Sequence, residues 1–148
     1  MKKKVNLLIL PILFIWELPQ NILGLLMHAI MKSRQKISNT ETEGHHVFIE
    51  TANTGVSLGW FIFWTSTGNR FPYLKNDCRM HEYGHSKQSS MLGPVYLLVV
   101  GIPSVARVIY RKWYYKKYGI NWENYYASFP EDWADNLGGV TFPKIIDS

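Results

Sequence analysis

The stretch Met80-His81-Glu82-Tyr83-Gly84-His85 sets two histidines four residues apart, with a glutamate directly after the first. On a helix, residues i and i+4 share one face, so His81 and His85 can offer imidazole nitrogens to a single metal ion. Glu82 is angled beside such an ion, where its carboxylate can take a proton from bound water. Gly84 leaves the same turn without a side chain, which lets another element pass close to the helix. Asn76 or Asp77 is a suitable N-cap, so the helix is expected to begin near Cys78 or Arg79.

This spacing resembles that of the His-Glu-x-x-His zinc metallopeptidases. The resemblance implies Zn2+ held by His81 and His85, a water whose pKa falls to about 7, and Glu82 as the catalytic general base. A catalytic zinc needs a third protein ligand. The Gly and His of the metzincin extension are missing, since Gln88 and Met91 stand where they would fall. Further on, the run from Phe129 to Gly139 places Glu131 and Asp135 four residues apart behind Pro130, which suits a first helical turn. That run resembles the gluzincin pattern, although the usual Asn before the ligand Glu is lacking. It implies Glu131 as third metal ligand and Asp135 as acceptor of the free N–H of His81. Asp135 is the alternative third ligand, because Asp135-Asn136-Leu137-Gly138-Gly139 resembles the Asp-Gly element of membrane-embedded site-2 proteases. Without any metal, an acidic first turn favoured by the helix dipole would account for Glu131 and Asp132. The two motifs together are similar to a small bacterial membrane-associated family carrying His-Glu-x-Gly-His.

Working outward, the first 32 residues read as a hydrophobic membrane anchor. Lys2, Lys3 and Lys4 precede an apolar run from Val5 to Trp16, and a second run covers Ile22 to Met31. Together they are long enough to span a bilayer. Glu17, Pro19, Gln20 and Asn21 interrupt them and would be costly against lipid unless they face protein or water. One polar-interrupted spanning helix and two short helices lying in the interface are both compatible with this pattern, and the alternative to an anchor is an uncleaved hydrophobic helix packed on the domain. Basic residues on both sides (Lys32, Arg34 and Lys36 follow) leave the orientation open.

Residues 33–44 are polar and read as a linker, and residues 45–148 as the metal-binding domain. His45 to Thr51 and Val56 to Thr65 are rich in β-branched and aromatic residues around the turn signal Ala52-Asn53-Thr54-Gly55, which predicts a hairpin. His45 and His46 point to opposite faces of a strand and are expected to be surface residues. Gly68 to Pro72 breaks the pattern. Met91 to Ala106 is shorter than the ~20 residues of a spanning helix and contains Pro94, Gly101 and Pro103. If it crossed the bilayer, His85 and Glu131 would lie on opposite sides, so a shared ion requires a buried or re-entrant element here. From Arg107 to Tyr118, basic and aromatic residues suit a headgroup region or an exposed helix.

Composition agrees with one domain at a membrane. The chain has 148 residues, 47% of them hydrophobic and 15% aromatic, with 18% charged against roughly 25% in an average soluble domain. The net charge of +5 lies beside apolar runs, and no nucleic-acid-binding motif accompanies it. The single cysteine, Cys78, excludes internal disulfides and a cysteine-rich metal site. The expected fold is α+β: an N-terminal hydrophobic helix or helical hairpin, a short antiparallel β-hairpin and a mainly helical zincin-like core. The expected function is a membrane-associated zinc peptidase acting on peptide or protein, placed in a bacterial inner membrane, with Val56 to Trp64 as the edge that holds substrate. The alternatives are a non-catalytic small membrane protein with a structural zinc or no metal, and an interaction module on a membrane anchor.

Overall fold

A computed structural model describes residues 8–66 and 75–141. It is a mixed α+β fold, with helices α1 (Leu10–Trp16), α2 (Leu18–Ser33), α3 (Lys75–Leu92), α4 (Ile102–Tyr118) and α5 (Glu131–Gly138). A four-stranded sheet is formed by β1 (Ile37–Glu43), β2 (His46–Thr51), β3 (Val56–Leu58) and β4 (Phe61–Thr65), in the order β1-β2-β4-β3. Lys2, Lys3, Lys4 and the expected break at Gly68 to Pro72 lie outside the described residues.

The sheet is covered on both faces. On β4 every residue is buried, and alternate side chains serve opposite layers. Ile62 and Trp64 join Phe48, Cys78 and Val140 on the α3 side. Phe61 and Phe63 join Ile49 and Met31 on the α2 side. This two-sided burial explains a departure from the expected hairpin. β2 and β4 are neighbours but parallel, with Val47 opposite Phe61 and Thr51 opposite Thr65. The reversal at 52–55 carries the chain out to β3, which then pairs antiparallel with β4. The fully apolar Phe-Ile-Phe-Trp run takes the central slot, and the short Val-Ser-Leu strand takes the edge.

The 33–44 stretch is not a linker. Ile37–Glu43 forms β1, paired antiparallel with β2. Six of its seven residues are exposed, so no inward–outward alternation marks it in the sequence. Backbone pairing holds it, helped by Arg79 of α3, which bonds Glu43 at 2.6 Å and lies 4.0 Å over the Phe48 ring. His46 is buried rather than on the surface; its ring meets Tyr83 of α3 edge-on, and burial pushes its pKa down to about 3.

α1 and α2 meet at Glu17 with a bend of 90°, and no single described helix is long and apolar enough to cross a membrane. The polar break faces protein. Ser89 and Ser90 of α3 donate to Glu17 at 2.5 and 2.9 Å. Gln20 donates to Ser89 Oγ and to the Gly93 carbonyl. Asn21 caps the β3–β4 turn by accepting from the Trp60 amide at 2.9 Å. Each of these three side chains is fully buried, so leaving them unpartnered would cost about 1–3 kcal/mol apiece.

α3 begins three or four residues earlier than expected, which puts Asp77 in its first turn rather than at its cap. Its buried face runs through Cys78, His81, Glu82, His85, Ser86, Gln88 and Ser89, a helical period made almost wholly of polar groups. Such a face needs a partner at each step. α5 supplies several of them by lying unusually close. A Cβ on Gly84 would stand 1.9 Å from the Ala134 carbonyl oxygen, and one on Gly138 would stand 2.2 Å from that of Met80. Both obstacles are backbone. Gly84→Ala is therefore expected to destabilise the protein by about 3 kcal/mol or more, at the upper end of overpacking costs. A denaturant midpoint equal to the parent's would rule out this close helix contact.

Residues 93–101 do not continue α3. A 3-10 turn at Gly93–Val95 and a π-helical turn at Leu97–Gly101 lead into α4. Ser104 in the first turn of α4 reaches back to Glu131 at 2.7 Å. The expected return toward Glu131 is thus made by the start of α4, but α4 itself contains no buried residue.

Candidate metal centre

α3 carries His81 and His85 one turn apart, and α5 carries Glu131 and Asp135 one turn apart, all four buried. The glycine-mediated contact of the two helices brings the pairs together. Glu131 Oε2 lies 3.2 Å from His81 Nε2 and 3.2 Å from His85 Nε2. Among the described residues, this is the group of His, Cys, Asp and Glu side chains that converges closely enough to hold a metal ion. His45 and His46 stand outside it.

The spacing fits a metal shell. Ligand bonds of about 2.0–2.1 Å in tetrahedral geometry set neighbouring donor atoms roughly 3.3 Å apart. The observed 3.2 Å matches that edge and exceeds the roughly 2.7–2.9 Å of a charge-assisted hydrogen bond.

The other ring nitrogens are occupied. His81 Nδ1 is 2.7 Å from Asp135 Oδ1, and His85 Nδ1 is 2.7 Å from Gln88 Oε1. In the metal-binding tautomer an N–H on each Nδ1 would donate to these oxygens and leave both Nε2 lone pairs for an ion at the common point. Asp135 therefore sits behind His81, while Glu131 sits at the point of convergence. Glu131 is fixed in turn by the Ser104 hydroxyl on its other oxygen.

The electrostatics are those of a coupled cluster. Burial alone would raise the Glu131 carboxyl, but hydrogen bonds from His81 and His85 reverse this and hold it below the usual carboxylate range. Burial likewise works against a charged His81, yet Asp135 and Glu131 outweigh it and lift its pKa to about 10 in the metal-free chain. A cation at this point would take the place of that proton.

Sequence reasoning missed Gln88 and Ser104. Gln88 entered only as a departure from the metzincin pattern, yet it spans two functions. Its Oε1 meets His85, and its Nε2 donates to the Pro130 carbonyl at 3.0 Å, directly before Glu131. Its place three residues after His85, on the same helix face, was the available signal. Gln88→Leu keeps the volume and removes both bonds. It is expected to weaken metal affinity roughly 10–100-fold, measured by competition with a chromogenic chelator. Unchanged affinity would leave Gln88 a packing residue only.

Above the cluster lies a cavity of about 900 Å3, lined among others by His81, Glu82, His85, Ser57, Tyr125, Tyr126 and Glu131. Glu82 is buried there beside the two histidines. The sheet edge at this cavity is β3 alone, not the longer stretch from Val56 to Trp64. β3 is the last strand of the sheet, and its Ser57 carbonyl accepts from the Tyr96 hydroxyl at 3.4 Å. Tyr125 and Tyr126 also line the cavity. Tyr83 packs instead against His46 and Phe48. Burial raises the Tyr125 phenol, so it keeps its proton and remains a donor. Searches against protein-family models, curated proteins and solved structures match this chain to none of them.

Proposed function

We propose that this chain is a membrane-associated, zinc-dependent peptidase in which Glu82 is the catalytic base. The observation that carries the reading is the convergence of three donor atoms, from His81, His85 and Glu131, on a cavity that also contains Glu82. Two imidazoles and a carboxylate form a donor set used by catalytic zinc sites, and such sites keep a position open. A structural zinc would call for a closed fourth ligand; among the described residues the group ends at three.

Bound here, zinc supplies Lewis acidity that polarises a peptide carbonyl and brings the pKa of water toward neutrality. The chain's own groups do the rest. The Glu82 carboxylate takes the proton from the attacking water and returns it to the leaving amine. Tyr125 and Tyr126 offer hydroxyl donors to the oxyanion. The edge strand β3 accepts an extended substrate by strand addition. Asp135, Gln88 and Ser104 hold the ligand side chains in register.

Membrane association rests on a different observation. α1 and α4 contain no buried residue, yet Ile9, Ile12, Ile15, Ile102, Val105 and Ile109 are exposed on them or at their start. The reading is tested with zinc-loaded full-length chain in phosphatidylglycerol-containing vesicles, offered both fluorescently labelled casein in solution and a fluorescently labelled peptide inserted in the bilayer. Cleavage is expected, with loss on chelation and recovery on adding zinc. Absence of cleavage, or cleavage indifferent to chelator, would remove the peptidase assignment.

A further inference from the structure

The wall of the cavity has an unusual chemistry. Ile102, Val105 and Ile109 form an i, i+3, i+7 stripe on α4 and line the cleft above the metal centre. The same three side chains are 60%, 59% and 63% exposed, and Leu23 of α2 lines the cleft while 43% exposed. Along this stretch of α4 and at Leu23 the rim is apolar, with Arg111, Lys112 and Asn121 at its far end, while His81, Glu82, His85 and Glu131 lie buried inside. An exposed apolar patch of this kind marks a protein or membrane contact.

Charge decides between them. α4 carries Arg107, Arg111, Lys112, Lys116 and Lys117 and no acidic residue. Trp113, Tyr115 and Tyr118 stand exposed among them, with the Lys117 ammonium 4.9 Å from the Trp113 ring. An apolar stripe ending in basic and amphipathic aromatic residues matches a bilayer surface with anionic headgroups. Inside the cleft, Ser57 Oγ on the edge strand is buried and has no hydrogen-bond partner among the described residues. Ser57 is 3% exposed, so an incoming polypeptide backbone would satisfy a group that bulk water does not.

We propose that the cleft is entered sideways from the lipid, and that its substrate is a membrane-inserted polypeptide. Its apolar stretch lies along Ile102, Val105 and Ile109, and its neighbouring backbone pairs with β3. The substrate class rests on the peptidase reading; the route of entry does not.

Val105→Cys and Ile109→Cys, each in a Cys78→Ala background and labelled with bimane, test the route directly. Asn39→Cys on exposed β1 serves as control. The full-length chain is bound to phosphatidylcholine–phosphatidylglycerol vesicles whose acyl chains carry bromine. Quenching at 105 and 109 but not at 39 is the expected result, with or without metal. Bright labels at 105 and 109, or a chain that does not float with the vesicles, would overturn lateral entry.

Two synthetic peptides in the same vesicles then test the substrate class, one half leucine-rich and the other with that half replaced by Gly and Ser. Faster cleavage of the leucine-rich peptide is expected, and equal rates would overturn the class. Quenched labels without cleavage of either peptide would instead remove the peptidase reading and keep the route.

Discussion

Glu82→Gln is expected to leave the ion bound and to cut hydrolysis sharply. The side chain is 4% exposed beside His81 and His85, and Gln conserves its volume, so the helix contact and the ligand set should persist. What is lost is the ability to accept a proton. General-base assistance contributes roughly 10²–10⁴-fold to rate, or about 3–5 kcal/mol of barrier. A fall in kcat of that order is expected, with zinc stoichiometry equal to the parent's. Stopped assays on whichever labelled substrate the parent cleaves and metal analysis of the same sample separate the two effects. A variant that keeps the parent's kcat would take Glu82 out of the chemistry, wherever the metal stands.

Glu131→Ala is expected to abolish metal-linked stability. An ion that binds only the folded chain adds RT ln(1 + [L]/Kd), about 4 kcal/mol at a thousandfold excess over Kd. In the parent, denaturant curves with and without zinc should separate by an amount of that order. Removing the carboxylate that touches both Nε2 atoms should bring the curves together. Asp135→Asn is the informative companion. It keeps an acceptor beside His81 Nδ1 but drops the charge, so affinity should fall only roughly 10–100-fold. The reverse ranking, with Asp135 indispensable and Glu131 dispensable, would transfer the ligand role to Asp135.

Much of the centre was legible in the residues because it is built from helical spacing. The separations 81 to 85 and 131 to 135 each define one helix face, and those faces are the ones that meet. Gly84 also carried its meaning in the sequence, as a place where a helix could approach. Other features were hidden for physical reasons. The buried face of α3 is polar, so hydrophobic periodicity passes over it, and its order comes from partners such as Ser89 and Glu17, 72 residues apart. The polar break at Glu17, Gln20 and Asn21 announced that it needed company without saying which residues would provide it. β1 shows no alternation because, beyond Ile37, neither of its faces is covered. The parallel pairing of β2 with β4 escapes local turn signals, which report that the chain reverses but not where the returning strand is placed. Gln88 and Ser104 each act through one or two hydrogen bonds, and no spacing rule points to Ser104 from Glu131.

Elemental analysis of the purified full-length chain, beside His81→Ala and Glu131→Ala, tests the central claim most directly. The account predicts one zinc per chain in the parent and none in either variant. A parent chain that takes up no zinc when the metal is supplied, or a Glu131→Ala chain that keeps a full equivalent, would contradict it.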